Sequence, residues 1–241
     1  MKFSVKSLIH PFDGENLELK LYGGKHDGSY VLASKILNST SAAYSYGIGN
    51  NVKFDIDLAK NFIFPIFQYD HTICDTPVKN PKFIFKREAL SSANILKHLQ
   101  ENNHIGRNDL LLKIDTEGAE YELFKNADPA IFKHFNQIAI EIHRIKDSDK
   151  NCISLLKSLF SAHKLVHIHA NNYGEMIDGL PVTLELTLVR DDLLPEDIRL
   201  SNKAAPMAGL DTPNCPGKRD YELAWWVTSY PEIAPPKSNP P

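Results

Sequence analysis

The ten residues Leu111-Leu112-Lys113-Ile114-Asp115-Thr116-Glu117-Gly118-Ala119-Glu120 decide how this chain is read. An apolar run meets three carboxylates, a glycine breaks the turn, and helix-forming residues follow. Open α/β sheets gather ligands and chemistry at the carboxyl ends of their strands, so this strand-to-helix junction is the first candidate for a functional site.

The same alternation extends in both directions. Upstream, Ala42 to Tyr46 predicts a strand running into the turn Gly47-Ile48-Gly49-Asn50-Asn51, and Val52 to Lys60 continues with Phe54, Leu58 and Ala59 at helical spacing. Asn61 to Tyr69 predicts a second strand ending at Asp70, although Pro65 lacks the ladder donor that a central strand needs. Lys82 to Phe85 reads as a third strand, and Ser91 to Asn102 as a helix with Ile95, Leu96 and Leu99 on one face. Strand four spans 110 to 115.

Downstream, Tyr121 and Leu123 begin a helix that Pro129 interrupts, and Gln137 to His143 predicts strand five. Ile153, Leu155, Leu156, Leu159 and Phe160 form the apolar face of the next helix. Lys164 to His169 and Pro181 to Arg190 read as the last two strands. Strands alternating with helices imply an α/β fold, its sheet largely parallel and covered on both faces.

The core accordingly spans residues 42–190. Residues 1–41 carry Gly23-Gly24 and Asp27-Gly28 between short apolar stretches and read as an N-terminal elaboration of strands or a hairpin, a candidate lid. Residues 191–241 form a proline-rich extension in which Tyr221, Trp225 and Trp226 pack onto the domain or onto a partner such as a second copy, while the last six or so residues are expected to be disordered.

With 241 residues, 42% of them hydrophobic, the chain supports one sizeable core. Its 27 basic and 30 acidic residues nearly cancel to a formal charge of −3, which excludes holding nucleic acid by bulk electrostatics. Cys74, Cys152 and Cys215 lie too far apart in sequence for a paired metal motif and fit a reducing compartment. The opening residues reach Pro11, Asp13 and Glu15 before any apolar region of signal-peptide length, and no run approaches the roughly 20 apolar residues of a membrane span. A cytoplasmic protein is expected.

Gly47-x-Gly49 lets backbone approach a ligand, and Asp70, one strand later, can accept hydrogen bonds from ribose hydroxyls. The third glycine of a dinucleotide fingerprint is missing, which disfavours an oxidoreductase. Glu141 and His143 stand two apart, as do His167 and His169, and period-two spacing puts each pair on one strand face. Asp115 with Glu141 or His143 could hold a hard divalent cation such as Mg or Mn, and His143 could act as general base; alternatively Glu141 only orients His143 and both are hydrogen-bonded scaffold. Glu117, nearest the turn, is the functional acid, and Glu120 reads as a helix-start acid that complements the helix dipole. His169, Asn172 and Tyr173, near the end of strand six, are candidate substrate contacts.

The stretches YSYGIGNNVKFDIDLAKN (44–61), QYDHT (68–72) and LLKIDTEGAEYELF (111–124) resemble the FkbM-type methyltransferases, and the similarity covers roughly residues 25 to 190. The resemblance implies a Rossmann-like class I methyltransferase fold: a mostly parallel seven-stranded sheet, helices on both faces, and an antiparallel last strand. It implies S-adenosylmethionine as methyl donor. Gly47 and Gly49 would line the donor's methionine part, Asn50 would join them in binding the donor, Asp70 would hold its ribose, Arg87, Glu88 and Ala89 would border its adenine, and Asp115 would bind the donor and floor the cleft.

The turn here is Y-G-I-G-N, without the acid of many D-x-G-x-G donor sites, and Asp55 and Asp57 on the following helix could not simply replace it. Lys25-His26-Asp27-Gly28-Ser29-Tyr30 resembles an N-D-G-G-Y stretch of the relatives, which makes His26, Asp27 and Tyr30 candidates to fold over the pocket. The expected activity is O-methylation of a sugar hydroxyl or related small metabolite, in surface-polysaccharide or natural-product biosynthesis. N-methylation of an amine or phosphoramidate-like group is the alternative within enzymes, and a non-catalytic donor-binding protein the alternative outside them.

Overall fold

The computed structural model describes residues 4–125 and 128–227, so the disorder expected of the last residues falls outside it. After the short helix α1 (Val5–Leu8) come β1 (Leu19–Tyr22), β2 (Tyr30–Ala33), α2 (Ser34–Leu37), β3 (Ala42–Tyr46), α3 (Lys53–Asn61), β4 (Ile66–Tyr69) and β5 (Phe83–Lys86). The chain continues through α4 (Ser92–Glu101), β6 (Leu110–Ile114), α5 (Glu120–Lys125), β7 (Phe135–Ile142), α6 (Lys150–Leu159) and β8 (His163–Ala170). Two-residue β9 (Met176–Ile177) and β10 (Leu180–Pro181) precede β11 (Leu184–Arg190).

Seven strands form the main sheet in the order β5-β4-β3-β6-β7-β11-β8. The pairs from β5 to β7 are parallel, and β11 is antiparallel to both β7 and β8. The strand order departs in both directions from β3 and β6, so a topological switch point opens between their carboxyl ends, where Tyr46 lies beside Ile114. The second strand is shorter than the apolar run suggests. β4 begins at Ile66, leaving Pro65 outside the ladder with its carbonyl accepting the Ala43 N–H at 3.0 Å.

Alternation on β3, β4 and β6 sorts the two layers. Tyr44, Phe67, Leu110, Leu112 and Ile114 join the cluster that also holds Ile95, Leu123 and Leu155, contributed by α4, α5 and α6. Ala43, Ile66 and Leu111 face the other way, toward Phe54 and Leu58 of α3 and Tyr30 and Leu32 of the β1–β2 hairpin. Leu110, Leu111, Leu112 and Ile114 are wholly buried, each worth about 1.5–3 kcal/mol. Helices start where their caps dictate: the Ser91 hydroxyl accepts from Asn94 N–H and the Asp149 carboxylate from Asn151 N–H.

The flanking segments share this core. Val5, Ile9, Ala205, Leu223 and Trp226 belong to the large cluster. Trp225 Nε1 donates to the Ile9 carbonyl and Trp226 Nε1 to that of Lys203, so packing within the chain accounts for both indoles. Among the described residues no helix is long and apolar enough to cross a membrane.

Candidate active site

At the switch point β3 runs into a turn only glycine can make. Gly47 has φ +73°, and a Cβ there would lie 1.6 Å from the Asp115 carbonyl oxygen. The two strand ends therefore approach to backbone contact. Gly49, with φ +48°, would place a Cβ in open space. Its N–H donates to Asp70 at 2.8 Å, while the Thr72 N–H and hydroxyl donate to the other Asp70 oxygen at 2.7 and 2.6 Å. Partial burial pushes the Asp70 carboxyl up, but these hydrogen bonds outweigh it and hold the group below the usual range.

A cavity of about 350 Å³ opens beside these residues. Asp70 and Glu88 border one end, Asp115 and Glu117 another, and the glycine turn with Asn50 lies between them. Glu88 is held by His98 Nε2 and Lys97 Nζ, both at 3.0 Å. The segment before the sheet closes part of the wall: Asp27 and Gly28 line the cavity, and Asn51 Nδ2 donates to the Asp27 carbonyl. The lining offers a nucleoside-bearing ligand a carboxylate for its hydroxyls and close backbone at the glycine turn.

Beyond Asp115, polar side chains from four elements converge. The Tyr30 hydroxyl lies 2.8 Å from Asp115 Oδ2 and 3.3 Å from Glu141 Oε2. Asn171 donates to Glu141 Oε1 at 2.8 Å and Asp27 Oδ1 at 3.1 Å. Burial first, and then the charges of Asp115 and Glu185, holds the Glu141 carboxyl well above its usual range.

His143 follows β7 directly, with Glu120 Oε1 accepting from its Nδ1–H at 3.1 Å. Its Nε2 faces Glu117 at 3.5 Å, Glu141 at 3.6 Å and Asp115 at 3.9 Å. Burial pulls the imidazole down, but the Glu120 hydrogen bond and the charges of Glu141, Glu120 and Asp115 together raise it to about 9. At neutral pH this histidine is an imidazolium, so it can receive a proton only after part of that negative field is offset.

Several residues read from the sequence lie elsewhere or carry other partners. His26 turns from the cavity: its Nδ1 pairs with the Pro213 carbonyl and its N–H with Thr212. His169 is enclosed between Glu185 at 3.1 Å and Asp220 at 2.9 Å, and these carboxylates, Asp220 first, overcome burial to raise it to about 10. Asn172 is wholly buried, its amide facing the carbonyls of Cys215, Lys218 and Arg219. Tyr173 is 57% exposed and does not line the cavity. A carboxy-terminal strap claims His26, His169 and Asn172, and sequence proximity to a strand end could not reveal that strap.

The divalent-ion candidates also change. Ligand atoms of Asp115, Glu117 and His143 lie within 4.8 Å of one another, whereas the Glu141 oxygens already engage Asn171 and Tyr30. Glu120 is the larger omission. It is completely buried and accepts from Gly118 N–H as well as from His143, so it orients the histidine as well as starting a helix. Lys113 was missed too: its Nζ donates to the Gly47 carbonyl at 2.8 Å and lies 3.4 Å from Asp115, tying the two turns together. A lysine on the same strand face as Asp115, inside an apolar strand, was the available signal.

Comparison with known proteins places this geometry in a family. The model described as methyltransferase FkbM domain matches residues 26–178. No curated protein matches the chain. Among solved structures, the fibrillarin/Nop5p complex is similar over 63% of this chain and 73% of that one, at 11% identity and a TM-score of 0.41. The Methanococcus jannaschii fibrillarin pre-rRNA processing protein is similar over 64% and 68%, at 11% identity and a TM-score of 0.39. A 16S rRNA (adenine(1408)-N(1))-methyltransferase from Catenulisporales acidiphilia, solved with its cosubstrate SAM, is similar over 71% and 97%, at 10% identity and a TM-score of 0.34. With the family model spanning β2, the glycine turn, the Asp115 junction and the His143 strand end, the chain belongs to the methyltransferase FkbM domain family.

Proposed function

We propose that this methyltransferase transfers the methyl group of S-adenosylmethionine to a hydroxyl of a sugar or related small metabolite, in surface-polysaccharide or natural-product biosynthesis. One observation carries the reading: a single cavity joins a ribose-type carboxylate, Asp70, to a cluster at Asp115 within reach of the proton-handling His143. The donor supplies an electrophilic methyl group. Gly47 and Gly49 admit it, Asp70 receives the ribose, and Glu88 borders the base. Holding an acceptor in line with that methyl accounts for much of the rate, since orientation alone offers about 7–11 kcal/mol.

His143 takes the acceptor's proton at Nε2, with Glu120 fixing the ring through Nδ1. Asp115 and the exposed Glu117 offer lone pairs to hydroxyls, which suits a polyhydroxylated acceptor. Tyr30 holds Asp115 and Glu141 in place from above. A divalent cation, if bound, would take Asp115, Glu117 and His143 as its ligands and would lower the acceptor's pKa in place of the histidine base. The free Cys74, Cys152 and Cys215 support a cytoplasmic location.

The imidazolium state of His143 favours one second reading, N-methylation, because an amine acceptor needs no strong base. Calorimetry with S-adenosylmethionine and NAD, followed by a mass-spectrometric screen of nucleotide sugars, free sugars, phosphorylated metabolites and amines, tests these readings. Micromolar binding of the donor but not NAD is expected, followed by a gain of about 14 Da, the CH₂ that one methylation adds, on a hydroxyl-bearing acceptor. Absence of donor binding would remove the methyl-transfer reading, and methylated amines alone would select the second.

A further inference from the structure

Gln68, Ser45 and Lys113 stand side by side across β4, β3 and β6, because Ser45 is in register with both neighbours. They occupy the sheet face beneath α3, and Asp55 from the first turn of that helix closes over them. All four are no more than 5% exposed. Ser45, Asp55 and Lys113 also line the cavity that Asp70 and Asp115 border, together with Asn51 and Phe54.

The polar atoms of this recess are unevenly matched. Lys113 Nζ donates to the Gly47 carbonyl and Gln68 Nε2 to Asp55 Oδ2 at 2.7 Å. Asp55 Oδ1, Gln68 Oε1 and Ser45 Oγ have no hydrogen-bond partner. Burial pushes the Asp55 carboxyl above its usual range, against the Gln68 hydrogen bond, the Lys113 charge and the nearby Ser45 hydroxyl, which does not reach hydrogen-bond geometry. Two of the three orphans can only accept, so a ligand completing the recess must bring hydrogens, and the carboxylate favours a cationic one.

The amino terminus of α3 borders the same cavity. Val52, its N-cap, provides no side-chain cap, and in the first turn Lys53 N–H makes only a long 3.3 Å contact to Asn51. Helix amino termini favour anions. A buried anionic acceptor beside a positive helix end complements an ammonium and a carboxylate joined through one carbon.

We propose that this recess reads the amino-acid end of the methyl donor: Asp55 receives the α-ammonium, Gln68 holds Asp55 in place, and the first turn of α3 receives the α-carboxylate. The assignment rests on the donor reading above. It supplies from helix α3 the acid that the Y-G-I-G-N turn lacks, whereas the sequence reading has Asp55 and Asp57 unable simply to replace it. Asp57, one turn face away, is instead engaged by Gly23 N–H and Asn61.

The test is calorimetry on the full chain with S-adenosylhomocysteine, its analogue lacking only the α-amino group, and methylthioadenosine, which lacks the whole amino-acid end. Asp55→Asn should weaken S-adenosylhomocysteine at least about tenfold and leave methylthioadenosine unchanged. Equal losses for both ligands, or no loss for either, would overturn the assignment. If the variant does not fold, the wild-type chain still decides: the deaminated analogue should bind at least about tenfold more weakly than S-adenosylhomocysteine, and equal affinity overturns the proposal. A wild-type chain that binds methylthioadenosine but fails these comparisons refutes the recess alone, whereas one that binds none of the three refutes the donor reading with it.

Discussion

Glu120 and His143 are joined twice: Oε1 of the buried glutamate accepts the backbone N–H of His143 at 2.7 Å and its Nδ1–H at 3.1 Å. The first bond places the residue after β7, and the second fixes which ring nitrogen carries the inward proton. Nε2 is thereby turned toward Asp115, Glu117 and Glu141. The same carboxylates that aim the ring also raise its pKa to about 9.

A pH profile follows from that pairing. The base form of His143 emerges as pH rises through about 9, so turnover should climb through the same region. Glu120→Gln removes the strongest support for the proton and should move the midpoint to lower pH, in both the rate profile and an NMR titration of the ring. A midpoint that stays in place would separate the histidine from the rate. His143→Ala should reduce turnover about 10²–10⁴-fold while leaving donor affinity intact.

Tyr30→Phe deletes the hydroxyl between Asp115 and Glu141. Two carboxylates would then face one another without their shared donor, at a cost of about 1–3 kcal/mol. A melting temperature lower by roughly 2–10 °C is expected, with a larger fractional loss in kcat than in donor affinity. Unchanged melting and kinetics would show that neither carboxylate depends on the bridge.

The donor end should respond in affinity first. Asp70→Ala leaves the Gly49 and Thr72 donors without an acceptor and should weaken donor binding by about tenfold or more in calorimetry. Gly47→Ala should be harsher, because its Cβ meets the Asp115 carbonyl at 1.6 Å and its φ is +73°. Destabilisation of about 3 kcal/mol or more is expected in denaturant unfolding.

Chelation tests the divalent-ion reading on its own terms. Glu117 is largely exposed and Glu141 is already bonded, so the donor set around His143 is thin. EDTA is expected to leave the rate unchanged. A loss restored by Mg or Mn would place an ion among Asp115, Glu117 and His143 and replace the histidine as the agent that activates the acceptor.

His169 should matter for stability. Its pKa is raised from 6.5 to about 10, so its contribution is complete below about 6.5 and is lost as pH rises through about 10. His169→Asn should destabilise the fold by about 3–5 kcal/mol at pH 7, since Glu185 and Asp220 would be left buried without their cation. The gap between variant and wild type should narrow in melts at pH 10 and above.

Much of the architecture is legible in local chemistry. The nearly continuous apolar run from Leu110 to Ile114 predicts a strand buried on both faces, and Gly47-Ile48-Gly49 a turn close to ligand; both depend on neighbours in the chain. Pro65 is instructive because its effect is local too: it stops the ladder one residue before β4. Asp70, Asp115 and His143 could be found at strand ends because a parallel sheet brings those ends to one edge.

The sequence by itself determined the order of strands and helices, the sheet edge where chemistry collects, and the carboxylates and glycines brought to that edge. Tertiary structure alone decided which polar groups serve one another. His169 and Asn172 face a strap that arrives 43 to 51 residues later. Glu120, Lys113 and Asp55 acquire their partners from other strands or turns. The physical reason is that periodicity and turn chemistry act over a few residues, whereas the fate of a buried charge is set by whatever partner the fold brings within hydrogen-bonding distance.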